Sequence, residues 1–236
     1  MVIGKPEHAL NAGWREELDA AMPALRLMQA RLEAVYAEGF VSIAATSRCA
    51  VSLATLPVVA RRHPNACVVW FDAHADLNTP ESTTTGYLGG LAAAAPVGLW
   101  QSGLGAGMSL NCLILVGQRD LDPFERDLIE RFDIPHIKPT DDLPTALRRA
   151  IAGRPVYVHL DCDVLEPGIV PTDYRHDGGL SLADLRSCAE VIAQDVVIGI
   201  EIAEFQVSWD SNGAAVSPQP LLDALKPLLK GLGVSA

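Results

Sequence analysis

The sequence predicts an α/β fold, a three-layer sandwich with helices on both faces of a mostly parallel sheet. Three observations carry this. Short apolar, β-branched runs alternate with longer stretches of helical periodicity along the chain. The strand-like runs are apolar almost without interruption, as a sheet covered on both faces requires. No repeat, low-complexity tract or separating linker breaks the alternation, so residues 1–236 read as one domain. A chain of 236 residues with 49% hydrophobic content can bury a sizeable core.

The elements follow from local pattern. A first helix is expected from about Ala12 to Glu38, with Leu18, Met22, Leu25, Leu32 and Val35 as its apolar stripe. Val41–Ala45 reads as a strand, about Cys49 to Arg62 as a helix, and Cys67–Phe71 as a strand. The glycine-rich stretch from Asp76 to Gly107 reads as a long shaped loop with one short helix. A strand at Cys112–Val116 and a helix near Pro123–Phe132 come next. A helix from about Leu143 to Ala152 precedes a strand at Pro155–Asp161. Ser181 with Asp184 three residues on resembles a capping box, opening a helix to about Gln194. Val196–Ile202 is the last strand, and Ser217-Pro218 opens a final helix ending near Gly231.

Composition narrows the function classes. No apolar run is long enough to span a bilayer, and Met1–Pro6 is too short and mixed for a secretory signal. A net charge of −11 argues against nucleic acid or an anionic membrane as partner and suits a cationic small molecule or metal ions. The odd count of five cysteines (Cys49, Cys67, Cys112, Cys162 and Cys188) reads as reduced thiols in a cytoplasmic protein.

In a parallel sheet the ligand site lies beyond the carboxyl ends of the strands. Two acidic clusters sit there. Asp72, His74 and Asp76 follow the strand Cys67–Phe71, and alternation on an extended segment would point all three the same way. Asp161 and Asp163 close the strand from Pro155. Four carboxylates and an imidazole at the end of a buried sheet would repel one another without a cation. Oxygen-rich ligation with one imidazole suits manganese, and so many carboxylates favour two ions.

These residues carry a family resemblance. Asp72-Ala73-His74-Ala75-Asp76-Leu77-Asn78-Thr79-Pro80 resembles the D-A-H-x-D-x-N-T-P segment of the arginase/agmatinase (ureohydrolase) family. Leu160-Asp161-Cys162-Asp163-Val164-Leu165-Glu166-Pro167 resembles its D-x-D-x-x-D-P, while Arg119–Pro123 and Ile200–Glu204 match two further blocks in the same order. The resemblance implies an arginase-like fold and two Mn2+ ions, with Asp72 and Asp161 bridging them. His74 and Asp163 would complete one ion and Asp76 the other. It implies hydrolysis of a guanidino C–N bond by water activated between the metals, with Asp76 and Glu204 as catalytic groups. Glu204 would receive the guanidinium, and Asn78, Asp120 and Asp122 would bind the rest of the substrate.

Two departures stand out. Cys49 occupies the place of the family's remaining metal-binding histidine, so Cys49 is a sixth candidate ligand, on the Asp76 side, where a thiolate would hold manganese weakly. The start of a helix there would help the thiolate form. Eleven positions beyond Asn78, where arginases carry a proton-shuttling histidine, stands Gly89. A less basic guanidino group tolerates that loss best, so the expected substrate is Nω-hydroxy-L-arginine, giving hydroxyurea and L-ornithine. His176 is a candidate substitute for the shuttle. His159, on the strand before Asp161, reads either as a packed core residue or as support for the metal site. His8, His63 and His136 read as surface residues, and Trp70, Trp100 and Trp209 as packing or pocket walls.

Other readings stay open at this point: arginase, agmatinase or formiminoglutamase activity on an unhydroxylated substrate, a one-zinc deacetylase-like amidase, or a non-catalytic metal-binding relative. The chain is also shortened at the N-terminus, with one helix before the first metal segment. Trimers or hexamers are usual in the family, so a homo-oligomer is the expectation those missing elements put in question.

Overall fold

The structure, a computed structural model, describes residues 2, 10, 12–210 and 212–232. His8, and Met1–Pro6 apart from Val2, lie outside the described residues. Helix α1 spans Trp14–Ala37 and turns Leu18, Leu25 and Leu32 inward, with Met22 and Val35 half-buried beside them. Strand β1 is Ser42–Ala45, and a 3-10 turn at Cys49–Val51 leads into α2, Ser52–Arg62. Strand β2 is Cys67–Phe71 and β3 is Leu113–Val116. Helix α3 (Pro123–Arg131) leads to β4 (His136–Ile137), and α4 (Leu143–Ile151) to β5 (Val156–Asp161). The chain closes with α5 (Leu182–Ile192), β6 (Val197–Ala203) and α6 (Gln219–Gly231). Between Asp76 and Gly107 the only regular piece is a 3-10 turn at Gly89–Leu91.

The six strands form one sheet in the order β1-β6-β5-β2-β3-β4, every pair parallel. Strand β4 is absent from the sequence expectation because its two residues carry too little pattern to detect. It also draws His136 off the surface: the ring is half-buried, with Nε2 3.1 Å from the Gln118 carbonyl. His63 is likewise half-buried, its ring edge-on to Tyr36 at 4.8 Å. Trp100 packs inside against Trp14, whereas Trp209 lies 38% exposed under Arg175.

Alternation along the strands divides the core. Cys67, Val69 and Phe71 of β2 join Val156, Val158 and Leu160 of β5 in the cluster under α4, α5 and α6. Val68, Trp70 and Tyr157 face the opposite layer, with Leu56 and Val59 of α2 and Leu128 of α3. The same parity carries His159 and Asp161 to that second face. Chain direction across the sheet reverses at β2, since β3 and β4 lie on one side of it and β5 and β6 on the other. The crevice beyond the ends of β2 and β5 is therefore where an open α/β sheet places its ligand. Among the described residues, no helix is long and apolar enough to cross a membrane.

Candidate active site

Asp72 leaves β2 fully buried, its Oδ1 accepting the His74 N–H at 2.7 Å and its Oδ2 the Trp70 indole N–H at 3.0 Å. His74 Nδ1 lies 3.2 Å from both Asp72 Oδ1 and Asp163 Oδ2. The expected extended alternation does not continue to Asp76. The ladder stops at Phe71, and Asp76 sits in the left-handed region at φ 53, which a short polar side chain tolerates. That turn brings Asp76 into the same cleft as His74, Asp161 and Asp163, though by a route different from strand parity.

Asp161 ends β5. Its Oδ1 accepts the Asp163 N–H at 2.7 Å, its Oδ2 accepts the Cys49 thiol at 2.9 Å, and Asp163 Oδ1 accepts the Ala73 N–H at 3.0 Å. The Ala73 N–H thus ties the two strand ends together. Among the described residues four ligand-type triplets fall within 4.8 Å: Asp72 with His74 and Asp163, Cys49 with Asp161 and Glu204, Cys49 with Asp72 and His159, and His74 with Asp120 and His176. Asp76 belongs to none of them, yet its Oδ2 is buried with no hydrogen-bond partner.

The electrostatics fit a cation. Burial, then the neighbouring carboxylates, pushes Asp76 and Asp161 well above the usual carboxylate range. Burial opposes a charge on His74, but Asp163 and Asp72 push its imidazolium up to about 12, and His74 in turn holds Asp163 below its ordinary value against burial. The helix start that the sequence expects to favour a thiolate at Cys49 is opposed by the site's own burial and charge. Full burial and the facing Asp161, Asp76 and Asp72 drive that thiol well up instead. An orphaned buried carboxylate oxygen, hard oxygen donors, the imidazoles of His74 and His159 and a thiol form a donor set suited to divalent metal ions.

Glu204 follows β6 in the left-handed region, φ 61, and accepts the Cys49 N–H at 3.1 Å. Burial raises its pKa even though three donors face it. Two of those donors escaped the sequence reading. Arg48 Nη1 lies 2.8 Å from Glu204 and 2.6 Å from Asp173, and Tyr87 Oη donates to Glu204 at 3.1 Å. Gly89 is closed off by the same tyrosine: a Cβ there would fall on the Tyr87 ring. Their only sequence signals were adjacency, Arg48 to Cys49 and Tyr87 to Gly89.

The cleft holds about 310 Å³. Asn78 donates to Asp122 at 2.7 Å, and Asp122 caps α3, so these two line the wall as a bonded pair. Asp120 is exposed at the mouth, 3.4 Å from His176 Nε2, and His176 Nε2 stands 3.2 Å from His74 Nε2. Arg119 fixes this wall from behind, donating to the carbonyls of Gly117, Asp163, Val164 and His176. His159 is fully buried, stacked on Trp70 at 3.5 Å and bonded to Glu201 at 2.8 Å.

The sequence profile of the Arginase family matches residues 14–218. An N(omega)-hydroxy-L-arginine amidinohydrolase of Streptomyces lavendulae is 39% identical over 226 residues, 95% of this chain and 82% of its own. Arginase-1 of Rattus norvegicus is 28% identical over 74% of this chain, which spans 62% of that enzyme. Among solved structures, an arginase from Bacillus caldovelox superposes with a TM-score of 0.83 at 23% identity, covering 99% of this chain and 83% of that one.

Proposed function

Since this chain belongs to the arginase family, we propose that it hydrolyses the guanidino C–N bond of Nω-hydroxy-L-arginine, giving hydroxyurea and L-ornithine, with two manganese ions as cofactors. The observation that carries this reading is the convergence of Asp72, His74, Asp76, Asp161, Asp163 and Cys49 beyond β2 and β5, with the Asp76 oxygen unpartnered. Asp72 and Asp161 would bridge the ions, His74 and Asp163 would complete one, and Asp76 and Cys49 the other. Bound there, two divalent cations supply Lewis acidity and a water that is nucleophilic at neutral pH.

The chain's own side chains do the rest. Glu204 orients the guanidino carbon at the rim of the acidic cluster, steadied by the Tyr87 hydroxyl. The exposed Asp120 and the Asn78–Asp122 pair receive the amino-acid end of the substrate. With no side chain at Gly89, His176, at the cleft mouth beside Asp120, would carry a proton to the departing amine. The N-hydroxyl lowers the basicity of the group, which lessens the demand for that proton. The five unpaired cysteines support a reducing, cytoplasmic setting.

A panel of L-arginine, Nω-hydroxy-L-arginine, agmatine and formiminoglutamate with manganese present, scored by product, tests the reading. Hydroxyurea and ornithine should dominate. Equal or faster turnover of plain arginine would overturn the substrate assignment.

A further inference from the structure

We propose that His159 is itself a metal ligand: its Nε2, the Cys49 sulfur and the Asp72 carboxylate form a mixed nitrogen–sulfur–oxygen seat for one of the two cations, and that seat favours zinc or cobalt over manganese. The inference rests on the two-cation reading above and revises its Cys49 side: it adds His159 to the donors that reading placed there and replaces manganese by zinc or cobalt at that one position.

The geometry comes from strand register. Trp70 of β2 pairs with His159 of β5, and His159 pairs with Glu201 of β6. All three side chains therefore stand in one row on the α2 face of the sheet, one step below Asp72 and Asp161. Trp70 lies flat on the imidazole, 3.5 Å between centroids and 7° between planes, which fixes the ring plane. The same indole donates to Asp72 Oδ2, so one tryptophan aims two of the three donors.

Hydrogen bonding fixes which nitrogen is free. Nδ1 faces Glu201 Oε1 at 2.8 Å. Glu201 is fully buried and also accepts from Ser52 at 2.5 Å, Thr55 at 2.8 Å and Tyr157 at 2.9 Å. So saturated with donors it stays anionic, and it holds the proton on Nδ1. The Nε2 lone pair is left pointing at Cys49, with Nε2 and Sγ 3.4 Å apart. A tetrahedral ion about 2.3 Å from sulfur and about 2.0 Å from nitrogen would separate those atoms by about 3.5 Å. A carboxylate behind a ligating histidine is the usual support for a metal-bound imidazole. Thiolate and imidazole together suit zinc or cobalt, whereas manganese prefers oxygen.

Cobalt(II) added to the metal-stripped full chain reads the seat directly. The expected result is two bound equivalents, one of which shows a thiolate-to-cobalt charge-transfer band and an intense tetrahedral ligand-field spectrum. Cys49→Ser should abolish the charge-transfer band. His159→Gln should weaken that equivalent at least about 100-fold, and Glu201→Gln by about 10–100-fold, with the other equivalent unchanged. X-ray absorption of wild-type protein holding one zinc beside one manganese counts ligands without any substitution, and should find one sulfur and one imidazole on zinc. Two cobalt equivalents without the band, an unchanged affinity in His159→Gln, or zinc with no imidazole overturns the inference and leaves the two-cation reading standing. Failure to bind either cobalt or manganese overturns both.

Discussion

Arg48 and Glu204 form an ion pair of 2.8 Å at the rim of the acidic cleft, the arginine a third exposed and the glutamate buried. The carboxylate proposed to receive a guanidinium thus already holds one supplied by the chain. On the proposed reading, a strongly basic guanidinium would compete with Arg48 for Glu204, whereas a less basic N-hydroxyguanidine would lose less by sharing it.

Arg48→Ala leaves Glu204 as a buried carboxylate without its cation, a state that a cationic ligand relieves. The ratio of kcat/KM for arginine to that for Nω-hydroxyarginine should rise about tenfold, equivalent to about 1.4 kcal/mol. Parallel steady-state assays on both substrates decide it; an unchanged ratio would mean the pair is only structural.

Gly89 and Tyr87 compete for one space. Gly89→Ala should destabilise the protein by about 1–3 kcal/mol, because the ring must move and the Tyr87–Glu204 bond with it. In a Tyr87→Ala background the same substitution should cost almost nothing. A double-mutant cycle by denaturant unfolding measures the coupling, and additive costs would refute the clash.

If His176 carries the proton as proposed, His176→Ala should lower kcat about 10–100-fold with little change in KM. A rise in KM at constant kcat would instead make it a binding group.

The protein without metal should lose stability as pH rises. His74 is raised from 6.5 to about 12, so its contribution is complete below 6.5 and is lost on the way to about 12. Asp76 and Asp161 are raised too, and act in the same direction from about pH 4 upward. Asp163, lowered by its partner histidine, matters only in strong acid. Thermal unfolding from about pH 5 to about pH 9 should show a falling midpoint, and the gain on adding manganese should grow over that range as metal replaces protons. A flat profile would contradict this.

Much of the frame was legible because it rests on pattern that physics enforces locally. The buried β2 and β5 are unbroken apolar runs, the Ser181–Asp184 capping box opens α5 as its spacing required, and both acidic clusters end strands. What the sequence hid depends on distant contacts or on single dihedrals. Tyr87 and Arg48 meet Glu204 across 117 and 156 residues. Asp76 reaches the cleft through one left-handed residue, and β4 is too short for any periodicity. His159 was visible as a residue, but its stacking on Trp70 is a product of register between β2 and β5.

The guanidinium of Arg119 binds backbone from three separate stretches at once: the end of β3 at Gly117, the turn bearing Asp163, and the loop bearing His176. The segments proposed to read substrate and to hold metal therefore share a mechanical joint. A change that reshapes the Tyr174–His176 wall to admit a new substrate tail will also tug the chain that carries Asp163, and diversification of specificity in this scaffold is bound to the tuning of its cation affinity.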